Sequence, residues 1–82
     1  MEASRLVAMA NQIADFFATS SPDREAAVTG TSQHLRSFWE PRMRRELIDY
    51  LAASDDGSGL TEVARDAVRQ LDRDSRATAG HG

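Results

Sequence analysis

Apolar residues recur along this chain at steps of three and four, and nowhere in sustained alternation. That period predicts helices. The first helix is expected from about Ala3 to Ala18, with Leu6, Met9, Ala10, Ile13, Phe16 and Phe17 forming one stripe. Asn11, Gln12 and Asp15 fall on its other side, and Thr19-Ser20-Ser21-Pro22 stops it. The same punctuation starts a second helix. Ser21 is suited to the N-cap, Pro22 to the first helical position, and Asp23 and Glu25 to the first turn, where acids favour the helix dipole. Val28, Thr31, Leu35 and Phe38 mark its expected buried face. Gly30 inside this helix signals either a close helix crossing or a weak point.

Glu40-Pro41 ends the second helix, because the residue before proline is pushed out of the α region. Pro41 can then open a third helix running to about Ala53, with Met43, Leu47, Ile48, Tyr50 and Leu51 inward. Asp55-Asp56-Gly57-Ser58-Gly59 is a loop by composition. Thr61 caps a fourth helix with the stripe Val63, Ala64, Ala67, Val68 and Leu71, and Leu60 folds onto the core. From Asp72 to Gly82 large apolar residues run out, and the composition predicts a disordered tail. The expected fold is therefore all-α: a small bundle of three to four helices over residues 3–71, with a disordered C-terminal tail at 72–82.

Eighty-two residues make one domain. A core of this size supplies roughly 3–5 kcal/mol, so small domains often rely on disulfides, a metal or a partner. Cysteine is absent, which leaves the partner as the expected supplement. A net charge of −3 argues against general nucleic-acid binding. No apolar run reaches the length of a membrane span, and the first residues lack a secretory pattern, which predicts a cytoplasmic protein away from membranes. All ten basic residues are Arg, a planar donor suited to interfacial carboxylates.

Catalytic patterns are missing. Asp56-Gly57-Ser58-Gly59 lacks the Lys and strand context of a phosphate loop, and the later ligands of a calcium loop. The two histidines, His34 and His81, are far apart and offer no metal-ligand spacing. The carboxylate pairs Asp55–Asp56 and Asp72–Asp74 lie in loop and tail. No catalytic, cofactor-binding or metal-binding residue is expected.

What remains is the run His34-Leu35-Arg36-Ser37-Phe38-Trp39-Glu40-Pro41-Arg42-Met43-Arg44-Arg45. It holds the only Trp and four of the ten Arg, the residue types enriched at interface hot spots. Adjacent helical side chains diverge by about 100°, so Phe38 and Trp39 cannot easily share one face. Trp39 turned toward a partner is the favoured arrangement, with Trp39 in the core as the alternative. Arg42, Arg44 and Arg45 oppose the dipole of the third helix. Arg42–Glu46 and Arg45–Asp49 have pairing distance in sequence, whereas Arg44 has only Glu40 behind it. Arg44 is thus expected to reach a carboxylate or carbonyl of another chain, against the plainer reading of a side chain snorkelling into water. His34 is either a locally bonded, half-buried histidine or an interface donor beside Phe38.

Two blocks, Met9-Ala10-Asn11-Gln12-Ile13-Ala14-Asp15-Phe16-Phe17 and His34 to Arg44, together with Gly59-Leu60 before an alanine-rich last helix, resemble the delta subunit of soluble NAD-dependent, molybdenum-containing formate dehydrogenases. Glu40 stands where that pattern has Asp. The resemblance implies a non-catalytic small subunit, in contact with the large catalytic subunit and acting in its assembly or stabilisation. It implies a complex with a molybdenum cofactor, iron–sulfur clusters, FMN and NAD, none of them bound by this chain. The implied partner surface is His34, Phe38, Trp39, Glu40, Pro41, Arg42, Met43 and Arg44, with Asn11 and Gln12 from the first helix. Two alternatives stand beside it: a dissociable chaperone for assembly or cofactor insertion, and a small helical nucleic-acid-binding regulator.

Overall fold

A computed structural model describes residues 3–54 and 59–79. The chain forms four helices: α1 (Ala3–Ser20), α2 (Arg24–Phe38), α3 (Pro41–Ala53) and α4 (Glu62–Ala79). Among the described residues there is no strand. The all-α bundle is thus the observed fold. Small side chains let the helices approach. Ala10 and Ala14 of α1, Ala27 of α2, and Ala64 and Ala67 of α4 are all buried. Leu6, Leu35, Leu47 and Val68 fill the space between them. α2 packs most extensively against α4 and α1, and α3 closes the remaining side.

Two stripes are rotated from the expected ones. On α1 the buried face is Leu6, Val7, Ala10 and Ala14, with Met9 and Ile13 at its edge, while Phe16 is 63% exposed. On α2 it is Ala27, Thr31, Ser32 and Leu35, and the next inward position is Trp39, not Phe38. Thr31, Leu35 and Trp39 are spaced by four, so one stripe runs through the helix end. Trp39 is the C-cap with extended backbone (φ −89°, ψ 143°), and this turns its side chain back onto the core. The stripes of α3 and α4 and the inward Leu60 are as expected.

The junctions differ in detail. α1 runs to Ser20, and the Ser21 N–H still bonds the Phe17 carbonyl at 2.9 Å, so Ser21 closes α1 rather than opening α2. The N-cap of α2 is Asp23, whose carboxylate accepts from the Ala26 N–H at 2.8 Å. Pro41 does open α3, and Glu40 caps it through its backbone without a side-chain bond. Thr61 caps α4 through Oγ1, accepting from the Ala64 N–H at 3.3 Å.

Helix α4 also continues where composition pointed to a tail. Residues 72–79 are helical, and residues 80–82 lie outside the described set. Two ion pairs accompany this extension: Arg36–Asp74 between α2 and α4 at 2.5 Å, and Arg76–Asp72 within α4 at 3.2 Å. Exposed pairs are each worth only about 0–1 kcal/mol, so the extension is lightly held.

Candidate functional site

Helices α1 and α2 carry a line of rings on their outer side. Phe16 and Phe17 meet edge to face with centroids 5.2 Å apart. Phe17 meets the His34 ring at 6.2 Å, again edge on. His34 lies 4.7 Å from Phe38, one helical turn further along α2. The spacing explains the line: Gly30, His34 and Phe38 follow at steps of four on one face of α2. Gly30 is what admits Phe17. A Cβ at that position would stand 2.6 Å from Phe17 Cδ1 and 2.8 Å from Cε1. Gly30 thus makes room for a ring from α1.

The outer members of the line are open. Phe16 is 63% and Phe38 74% exposed, the large hydrophobic residues that the fold leaves out among those described. Phe16 and Phe17 had been expected in the core stripe. Their adjacency was the available signal, since neighbouring positions point about 100° apart and only one can face inward.

The residues expected at a partner surface separate into two groups. His34 is half-buried between two rings, and Phe38, Glu40, Pro41, Arg42 and Gln12 are exposed. Trp39, Met43, Arg44 and Asn11 are instead engaged by the fold. Trp39 is 7% exposed and belongs to the core, which corrects the expectation that it faces outward. Met43 packs against that core. Asn11 donates from Nδ2 to the Gly59 carbonyl at 2.8 Å and accepts at Oδ1 from the Thr61 N–H at 2.9 Å. It fastens the approach to α4, where Gly59 has φ +98°, onto α1.

Arg44 has a partner inside the chain. Its Nη1 donates to the Arg36 carbonyl at 2.5 Å. Arg36 is in the last turn of α2, where carbonyls have no intrahelical partner and the dipole favours a cation. Arg44 opposes the dipole of its own helix while satisfying the end of the preceding one. The residues left over are its neighbours. Among the described residues Arg42 and Arg45 form no ion pair, and the pairs suggested by sequence spacing with Glu46 and Asp49 are not made.

An open groove of about 660 Å³ lies between the end of α2, α3 and α4. Ile48 and Leu71 are among its lining residues, with Arg36, Arg44, Arg45 and Arg76. Three of these arginines are already committed to Asp74, the Arg36 carbonyl and Asp72. Among the described residues there is no group of three or more His, Cys, Asp or Glu side chains placed to hold a metal ion. None of the described helices is long and apolar enough to cross a membrane.

Residues 5–68 match the family model of FdsD, the NADH-dependent formate dehydrogenase delta subunit. The chain belongs to this family. The match to FdsD takes in all of α2 and α3, most of α1 and the first part of α4, so the ring line and the α2–α3 junction both lie within it. No curated protein and no solved structure matches the chain.

Proposed function

We propose that this chain is a non-catalytic delta subunit that assembles or stabilises the molybdenum-containing large subunit of an NAD-dependent formate dehydrogenase in the cytoplasm. In this reading the molybdenum cofactor, iron–sulfur clusters, FMN and NAD belong to other subunits. The observation that carries it is the exposed ring line in a chain of the delta-subunit family: the core is filled without Phe16 or Phe38, yet both are held in fixed ring contacts. Aromatic side chains are enriched at the cores of protein interfaces, which supports reading the exposed rings as a contact surface. His34, Phe38, Glu40, Pro41, Arg42 and Gln12 form the contacting surface, and Trp39, Met43, Asn11 and Arg44 hold it in place from behind.

The test is deletion of the chain in cells that express the rest of the enzyme. Soluble large subunit and its molybdenum content are expected to fall together, and complementation restores both. Unchanged yield, metal content and formate oxidation overturn the proposal. A dissociable chaperone gives the same deletion phenotype, but the chain is then missing from the purified active complex.

A further inference from the structure

The ring line stands on the outer side of α1 and α2 as a ridge of side chains. Phe17 is seated across Gly30 and backed by His34, so the ridge is fixed before any partner arrives. Aromatic side chains bury about 150–250 Å² each, so at 63% and 74% exposure Phe16 and Phe38 together offer roughly 200–300 Å². A stable interface needs about 800 Å² from each partner. Two copies of this chain meeting through these rings alone would fall far short. A partner that meets the requirement also covers the exposed Gln12, Gln33 and Ser37 near the rings and Pro41 and Arg42 beyond Phe38 in the chain. Arg42 is exposed and forms no ion pair, four residues past Phe38. A guanidinium in that position pairs best with a carboxylate.

We infer that the Phe16–Phe17–His34–Phe38 ridge, with Arg42 at its end, inserts into an apolar cleft bearing a carboxylate at one rim on another formate dehydrogenase subunit. This rests on the delta-subunit reading above and adds the surface and its chemistry. Gly30 is a positioning residue here: it admits the Phe17 ring that holds the ridge upright. Phe16 and Phe38 are the anchors, and Arg42 sets the orientation.

The experiment is a competition in cells. Tagged full-length variants are co-expressed with the untagged wild-type chain and the other enzyme subunits, and the enzyme recovered through the tag is quantified. Phe16→Ser with Phe38→Ser is expected to recover about a hundredth of the enzyme that the tagged wild type recovers, since burying one Phe is worth of order tenfold or more in affinity. Arg42→Glu is expected to recover about a tenth, and Arg73→Ala on another part of the surface as much as wild type. The free double variant must melt as the wild type does, which separates lost docking from lost folding. Recovery of the double variant within about twofold of wild type overturns the ridge as the docking surface and leaves the delta-subunit reading standing. A wild-type chain that recovers no formate dehydrogenase subunit overturns both. A free wild-type dimer that the double variant converts to monomer overturns the assigned occupant in favour of a second copy.

Discussion

Phe38 and Trp39 are neighbours in sequence, of similar chemistry, and the structure gives them opposite tasks. Trp39→Ala removes a side chain that is 7% exposed and packed in the core with Leu35, Leu47 and Leu71. Truncating a buried Trp to Ala costs about 3–5 kcal/mol. A domain of 82 residues has roughly 4–12 kcal/mol of stability in all. The variant is therefore expected to lose at least about a quarter of its stability, and at the lower end to be unfolded at room temperature. Phe38→Ala removes a ring that is 74% exposed, so only about a quarter of a full burial worth about 1.5–3 kcal/mol is lost, less than about 1 kcal/mol. Urea unfolding followed by far-ultraviolet circular dichroism is the suitable assay, because Trp39 is the only Trp and its removal abolishes the fluorescence signal. With a slope near 1 kcal/mol per molar, the Trp39→Ala midpoint should fall by about 3 M or more and that of Phe38→Ala by under about 1 M. Equal shifts, or the reverse order, would show that the helix end is turned the other way and would refute the division between core and ridge.

Four further outcomes follow from individual contacts. Gly30→Ala gains about 1 kcal/mol of helix propensity but drives a methyl into the Phe17 ring, so thermal melts should show net destabilisation, reversed to net stabilisation in a Phe17→Ala background. Asn11→Ala loses two hydrogen bonds and should cost about 1–3 kcal/mol with faster exchange of the Thr61 amide, whereas Asn11→Asp, which keeps the acceptor, should fall between. Arg44→Ala strands the Arg36 carbonyl and should cost about 1 kcal/mol in the free domain, while Arg42→Ala should leave the melt within about 0.5 kcal/mol. The Ser32 hydroxyl is buried without a hydrogen-bond partner, so Ser32→Ala should stabilise by about 1 kcal/mol, and a loss on calorimetry would contradict that.

Periodicity located the four helices because each has an apolar stripe and a chemical stop: Pro41 before α3, Thr61 before α4, and a run of small polar residues after α1. It was less able to phase them. Leu6, Ala10 and Ala14 form the true seam of α1, but a scan weighted by side-chain size favours Phe16 over Ala14, although alanine is what allows α2 and α4 to come close. The same weighting drew Phe38 inward. The reversal at Trp39 depends on a helix end that bends the chain, which a helical wheel does not represent. Ser21 and Asp23 were both plausible caps, and the bond from Ser21 back to Phe17 decided between them. For the candidate site, the concentration of Trp, Arg and Pro singles out the α2–α3 junction, but the arrangement within it is set by tertiary contacts. Arg44 lacks a local carboxylate, as its sequence context indicated, and finds a carbonyl eight residues back that only the α2–α3 fold brings within reach. The part of the surface contributed by Phe16 and Phe17 depends on Gly30, whose purpose appears only once α1 lies across it.

We propose that this chain is a resident subunit of a formate dehydrogenase, docked on its large subunit. Native mass spectrometry of the enzyme purified from cells through a tag on this chain tests it most directly. An active complex is expected, with the large subunit and this chain present in fixed stoichiometry. Recovery of the chain alone, or of active enzyme consistently lacking it, would show that it is not a resident subunit.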